Sequence, residues 1–98
     1  MDRLELYELI AGGEDSFVEF KRELSQRSDF AGEMIAFANT EGGRILVGVD
    51  DDGKVVGVPD PKRAEEAAIS IARDNVIPPL RITLDRVDDG GKIVLVVN

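Results

Sequence analysis

Ninety-eight residues with no cysteine and no histidine leave room for one domain and exclude a disulfide framework, a thiolate nucleophile, imidazole acid–base catalysis and Cys/His zinc sites. Twenty acidic against twelve basic side chains, a formal net charge of −8, argue against a broad electrostatic footprint for nucleic acid. The apolar fraction of 43% is that of a globular chain, and no run approaches the ~18 apolar residues of a membrane span, so a cytoplasmic protein with no membrane partner is expected.

In chain order, Asp2 to Ala11 reads as a helix: Leu4, Tyr7 and Ile10 recur at helical spacing, Leu6 and Leu9 widen the stripe, and Gly12-Gly13 stop it. Ser16 to Lys21 alternates, with Phe17, Glu19 and Lys21 on one face and Val18 and Phe20 on the other, which predicts a strand. Arg22 to Arg27 is polar and reads as a loop. Ser28 or Asp29 is placed to cap a second helix running to about Asn39, with Phe30, Met34, Phe37 and Ala38 on one face. Phe37 is expected in the core.

The centre of the chain is a predicted hairpin. Gly42-Gly43 turn the helix sharply into Ile45, Leu46, Val47 and Val49, with a positive φ expected at one of the two glycines. Asp50-Asp51-Asp52-Gly53 forms a tight turn, and Val55, Val56 and Val58 return as a second strand. Pro61 then suits the first turn of an alanine-rich third helix to about Asn75. A second hairpin, Arg81–Val87 with Lys92–Val97, closes the chain; Ile93 to Val97 is apolar throughout and reads as a central strand. The chain ends one residue later, read as the cut end of a longer protein. The layout α-β-α-ββ-α-ββ predicts an α+β domain: a mainly antiparallel or mixed sheet of about five strands with about three helices packed against it.

No phosphate-binding glycine loop opens a helix, since Gly42-Gly43 enters a strand and lacks the dipole that grips phosphate. The acidic turn fails as a calcium loop: with Gly53 at the invariant glycine, Pro59 falls where a bidentate Glu is required. Glu14 and Glu19, near the first strand, and Asp50, at the end of the second, form the remaining cluster. Glu19 alternates with Phe17 on a half-buried face, where a carboxylate needs a cation or a metal. Two readings follow. Lys21, two residues on, supplies a structural salt bridge, or three carboxylates at strand ends hold magnesium or manganese for phosphodiester cleavage. The adjacent Lys21-Arg22 pair, with Arg44, is the candidate nucleic-acid contact; a binding module of this kind needs no cofactor.

Four blocks carry a resemblance: Glu14-x4-Glu19-Phe20-Lys21, Ala36-Phe37-Ala38-Asn39-Thr40-x-Gly42-Gly43, Gly48-Val49-Asp50-Asp51-x-Gly53 and Val56-Gly57-Val58. In order and spacing they resemble the Schlafen-type AlbA-like domain, also labelled the divergent AAA-type domain of transcriptional regulators, over about Glu14 to Val97. The resemblance implies a single domain spanning 1–98 at the N-terminus of a longer protein, often before an ATPase-like region and a winged helix, acting in DNA binding or transcriptional regulation. In vertebrate Schlafen proteins the same fold, as two lobes, cleaves transfer RNA with a three-carboxylate metal site. Carried over by motif, those acids fall on Glu14, Glu19 and Asp50, with Asp51 the competing choice. Two departures stand out: one lobe, so that an equivalent groove needs a homodimer, and an acidic balance in place of a basic channel. The expectation is a DNA- or RNA-binding module, with a metal-dependent ribonuclease or an interaction and dimerisation domain as alternatives.

Overall fold

A computed structural model describes residues 1–24 and 26–98; Ser25, in the loop expected over 22–27, lies outside them. Seven elements follow in order: α1 (Arg3–Ala11), β1 (Val18–Lys21), α2 (Arg27–Ala38), β2 (Arg44–Val47), α3 (Pro61–Asp74), β3 (Leu84–Asp89) and β4 (Lys92–Val97). The four strands form one mixed sheet in the order β1-β2-β4-β3, with β1 parallel to β2 and the other pairs antiparallel. The α+β class and the three helices agree with the sequence reading. Among the described residues the strand count is four, not five.

The missing strand is the return of the central hairpin. Among the described residues the two arms share one isolated ladder pair, Val49 with Val55, and no continuous ladder. Gly48 and Gly57 both hold positive φ and sit back to back: a Cβ on Gly48 would lie 3.1 Å from the Gly57 backbone. Two successive N–H groups, of Val56 and Gly57, donate to the one carbonyl of Gly48 at 2.8 and 2.9 Å. A left-handed glycine on each arm breaks the regular ladder, and the chain instead crosses to β4, where the Val58 N–H donates to the Ile93 carbonyl.

Side-chain alternation assigns the two faces of the sheet. Ile45, Val47, Leu95 and Val97 face α2 and α3, packing with Phe30, Met34, Ala68 and Ile71. Val18, Phe20, Leu46, Val94 and Val96 face α1, packing with Leu6. β4 is therefore apolar on both faces and lies inside the sheet, as its uniform sequence predicts. The small side chains of Ala68 and Ala72, both buried, let α3 approach the sheet closely.

Helix ends follow local chemistry with two shifts. Asp2 caps α1 by accepting from the Glu5 N–H at 2.9 Å, and Asp60 caps α3, with Pro61 in the first turn, by accepting from the Arg63 N–H at 3.1 Å. α2 begins at Arg27, earlier than a Ser28 or Asp29 cap would place it, and no side chain among the described residues caps it; Asp29 instead sits in the first turn, where its charge favours the helix dipole. The stripe of α1 also differs from expectation. Leu6, fully buried, with Leu9 and Ile10 forms the packed face, leaving Leu4 and Tyr7 65% and 43% exposed. Among the described residues no helix is long and apolar enough to cross a membrane.

Candidate functional site

The sheet has two ends that gather the residues singled out from the sequence. At one end β1 finishes beside the acidic 50–53 turn. Lys21 projects toward α2, and its Nζ lies 2.6 Å from Glu33 Oε1. Hydrogen bonding to Glu33 holds the ammonium above its usual lysine range, and the nearby Glu19 and Asp29 charges add to this. Arg22 reaches across to Asp50 and donates to both carboxylate oxygens, at 3.1 and 3.0 Å. Lys21 thus pairs with Glu33 and not with Glu19.

Glu14 and Glu19 take different positions at this end. The Phe20 N–H donates to Glu14 Oε1 at 2.8 Å, and the Asp15 N–H donates to the Val18 carbonyl at 3.1 Å. Since β1 is an edge strand, the 14–15 segment covers backbone groups that a free edge would expose. Glu19 is half-buried on the α2 side. Desolvation raises its pKa above the ordinary glutamate value, the carboxylates of Glu14, Glu33 and Asp51 raise it further, and Lys21 opposes them. Among the described residues, no group of three or more acidic side chains is placed to hold a metal ion. As arranged, Glu14 and Asp50 are engaged by a backbone N–H and a guanidinium, contacts that magnesium or manganese would have to displace.

The other end is built differently. Arg44 opens β2 opposite Val18, three residues from the Lys21–Val47 pair and so about 10 Å along the strands from Lys21. The three predicted basic contacts therefore do not form one patch. Arg44 Nε donates to the Asn98 side chain at 3.1 Å, and Arg81 lines a cavity that also reaches Asn98. Among the described residues, neither Arg44 nor Arg81 lies within ion-pair distance of an acid.

Between these arginines runs the glycine pair. Gly42 has φ +94°, as the sharp turn requires, with open space where a Cβ would stand. Gly43 is needed for a different reason: a Cβ there would lie 2.5 Å from the Phe37 ring. Phe37, expected in the core, is half-buried and packs against the core from its margin. On the α2 side of the glycine pair a cavity of about 170 Å³ opens between Met34, Phe37, Ile45, Leu80, Arg81 and Ile82. On the α1 side a second depression, about 230 Å³, is bounded by Leu9, Phe17, Glu41 and Arg44. Gly42, Gly43 and Asn98 border both.

A family model described as Schlafen, AlbA_2 matches residues 14–98. The chain belongs to this Schlafen AlbA_2 family. Among solved structures, the domain is similar to the N-terminal domain of a RecG-related protein from Nitrosomonas europaea, named for its relation to ATP-dependent DNA helicases. The two share 32% identity at a TM-score of 0.71, over 95% of this chain and 69% of that one. A search among curated proteins gave no match.

Sequence reasoning missed two residues of this Schlafen AlbA_2 domain. Glu33 left a signal: it sits in the apolar stripe of α2, between Phe30 and Phe37 at positions 30, 33, 34 and 37. A carboxylate at such a position must find a cation. Arg81 left none, because nothing local shows that the segment after Pro78-Pro79 folds back beside the end of β2.

Proposed function

We propose that this domain is a nucleic-acid-contacting module of a larger regulatory protein, and that it touches DNA or RNA at the Arg44–Arg81 end of its sheet. One observation carries the reading: here two arginines that make no ion pair among the described residues border depressions that meet at Gly42, whose backbone no side chain covers, in a chain whose net charge is −8. Phosphate recognition needs guanidinium groups that no carboxylate already holds, and backbone that a strand can approach closely. Membership of the Schlafen AlbA_2 family, and the likeness to a domain of a protein named for DNA helicases, support the same class of partner. Lys21 and Arg22, locked to Glu33 and Asp50, take no part.

The test is fluorescence anisotropy with labelled DNA and RNA at low salt. The expected result is weak binding whose log affinity falls with log salt by about 0.7–0.9 per contacted phosphate, the slope shrinking by about that amount in Arg44→Ala and again in Arg81→Ala. Absence of any complex at low salt would favour an interaction or dimerisation domain.

The cleavage reading asks more of the chain. Asp50 would have to leave Arg22, and Glu14 the Phe20 N–H, before magnesium or manganese could be held with Glu19. Manganese raising the melting temperature of the chain but not of Glu19→Gln would favour that reading.

A further inference from the structure

The two depressions on either side of the glycine pair differ from a phosphate-only surface, and their chemistry narrows the ligand. The first is mostly apolar, walled by Met34, Phe37, Ile45, Leu80 and Ile82, with Arg81 at its margin. At about 170 Å³ it is well below the ~300–1,000 Å³ of pockets that take a whole drug-sized ligand. That is room for one flat ring. The second depression lies beneath Phe17, an aromatic side chain left 48% exposed, with Arg44 beside it. Each depression thus combines an aromatic wall with one arginine, and the ridge between them is Gly42-Gly43, open at Gly42 and backed by the Phe37 ring at Gly43.

A rigid duplex cannot use this arrangement, because its bases are stacked inward and present only edges. An unpaired strand can, since its bases turn outward and stack on aromatic faces while its phosphates meet arginine. We infer that the sheet end is a single-strand site: the backbone crosses the Gly42-Gly43 ridge, one base enters the Phe37 cavity, the neighbouring base lies on Phe17, and Arg81 and Arg44 meet the flanking phosphates. Glu41, on the rim of the second depression, repels a phosphate from its own side and biases the strand toward Arg44. This inference rests on the nucleic-acid reading above and goes beyond it by naming the unpaired base as what is recognised.

The experiment compares four probes by anisotropy and competition: a single-stranded oligonucleotide, the same length as duplex, the same strand with abasic sites, and thymidine monophosphate. The expected order is intact strand tightest, with abasic strand and duplex weaker by about 5- to 150-fold per stacked base lost. The free nucleotide should compete only at far higher concentration. Ala38→Trp, at an exposed position lining the cavity, should weaken the intact strand while leaving the abasic strand unchanged, and Phe17→Ala should do the same. Thermal unfolding of both variants shows that they are folded; Phe17, exposed and outside the core, keeps the test open if Ala38→Trp is not. Equal affinity for intact strand, abasic strand and duplex would overturn the base site and leave the phosphate reading standing. No binding to any probe would overturn both. A free nucleotide that binds as tightly as the strand would make this a nucleotide pocket and overturn the strand reading.

Discussion

The two ends of this sheet use their charged side chains in opposite ways. Where β1 ends, cations and acids are matched: Lys21 with Glu33, Arg22 with Asp50, and the Glu14 carboxylate with a backbone N–H. Those contacts tie the edge strand to α2, to the 50–53 turn and to its own preceding loop, so the charge is structural. Where β2 begins, Arg44 and Arg81 make no ion pair among the described residues, although Glu41 shares the depression of Arg44, and they lie beside an exposed and a half-buried aromatic. Net charge cannot distinguish these ends. Pairing can, and it moves the functional candidate from the end where the acids cluster to the end where the cations are free.

If that contrast is right, removing a cation should have opposite consequences at the two ends. Lys21→Ala leaves Glu33 about three-quarters buried beneath α2 without its partner, and one of its oxygens, Oε2, is already without a hydrogen bond among the described residues. Urea unfolding should then show a loss of about 2–3 kcal/mol, with little change in nucleic-acid affinity. Arg44→Ala and Arg81→Ala should each change stability by less than about 0.5 kcal/mol, as exposed surface positions do, while weakening binding. A Lys21→Ala protein as stable as the parent, or an Arg44→Ala protein that unfolds, would dissolve the comparison.

The glycine pair offers a finer cut because its members serve different needs. Gly43→Ala pushes a methyl into the Phe37 ring at 2.5 Å, so either the aromatic or the strand must shift. A loss of about 1–2 kcal/mol is expected, within the range for overpacking, together with a narrowed cavity and weaker strand binding. Gly42→Ala meets no neighbouring atom within 4 Å and pays only for its φ of +94°, about 1 kcal/mol. Its effect on binding reports whether backbone is approached there. Equal losses in the two variants would mean that the Phe37 contact contributes nothing.

Much of this could be read from residue pattern, and the failures have physical causes. The buried face of α3 at Ala68, Ile71 and Ala72, the interior placement of β4 and the positive φ at Gly42 all follow from side-chain period and local geometry. The fifth strand failed because Val55, Val56 and Val58 look like a ladder partner, whereas the φ values of Gly48 and Gly57 decide otherwise, and their back-to-back contact is tertiary. Leu4 and Tyr7 were misplaced for a related reason: a helix with apolar residues over most of its circumference does not announce which face the sheet will cover. At the site, the pattern gives Glu19 the neighbouring Lys21 as its cation, but Lys21 pairs with Glu33, which lies twelve residues on and reaches it only through the β1–α2 packing. Lys21 and Arg22 are adjacent in sequence and each is paired, whereas Arg44 and Arg81, far apart in sequence, border two depressions that share Gly42, Gly43 and Asn98.

The smallest expected effect is also the most diagnostic for the acidic end. Glu19 is half-buried on the α2 side, and desolvation, with the charges of Glu14, Glu33 and Asp51, raises its folded-state pKa above the value of 4.5 it has when unfolded. A raised carboxylate pKa means that the folded chain holds its proton more tightly than the unfolded one. Stability therefore falls as pH rises through the window that opens near 4.5 and closes at the folded pKa, and the penalty is fully present above that window. Glu19→Gln removes the charge while keeping shape, so it should raise the melting temperature modestly at neutral pH and leave it unchanged below the window, flattening that part of the pH profile. If Lys21 were instead the partner that fixes Glu19, the carboxylate would be favoured in the fold, and the variant would be less stable at neutral pH than the parent. The sign of the neutral-pH shift decides between a carboxylate tolerated beside the Lys21–Glu33 pair and one that belongs to it.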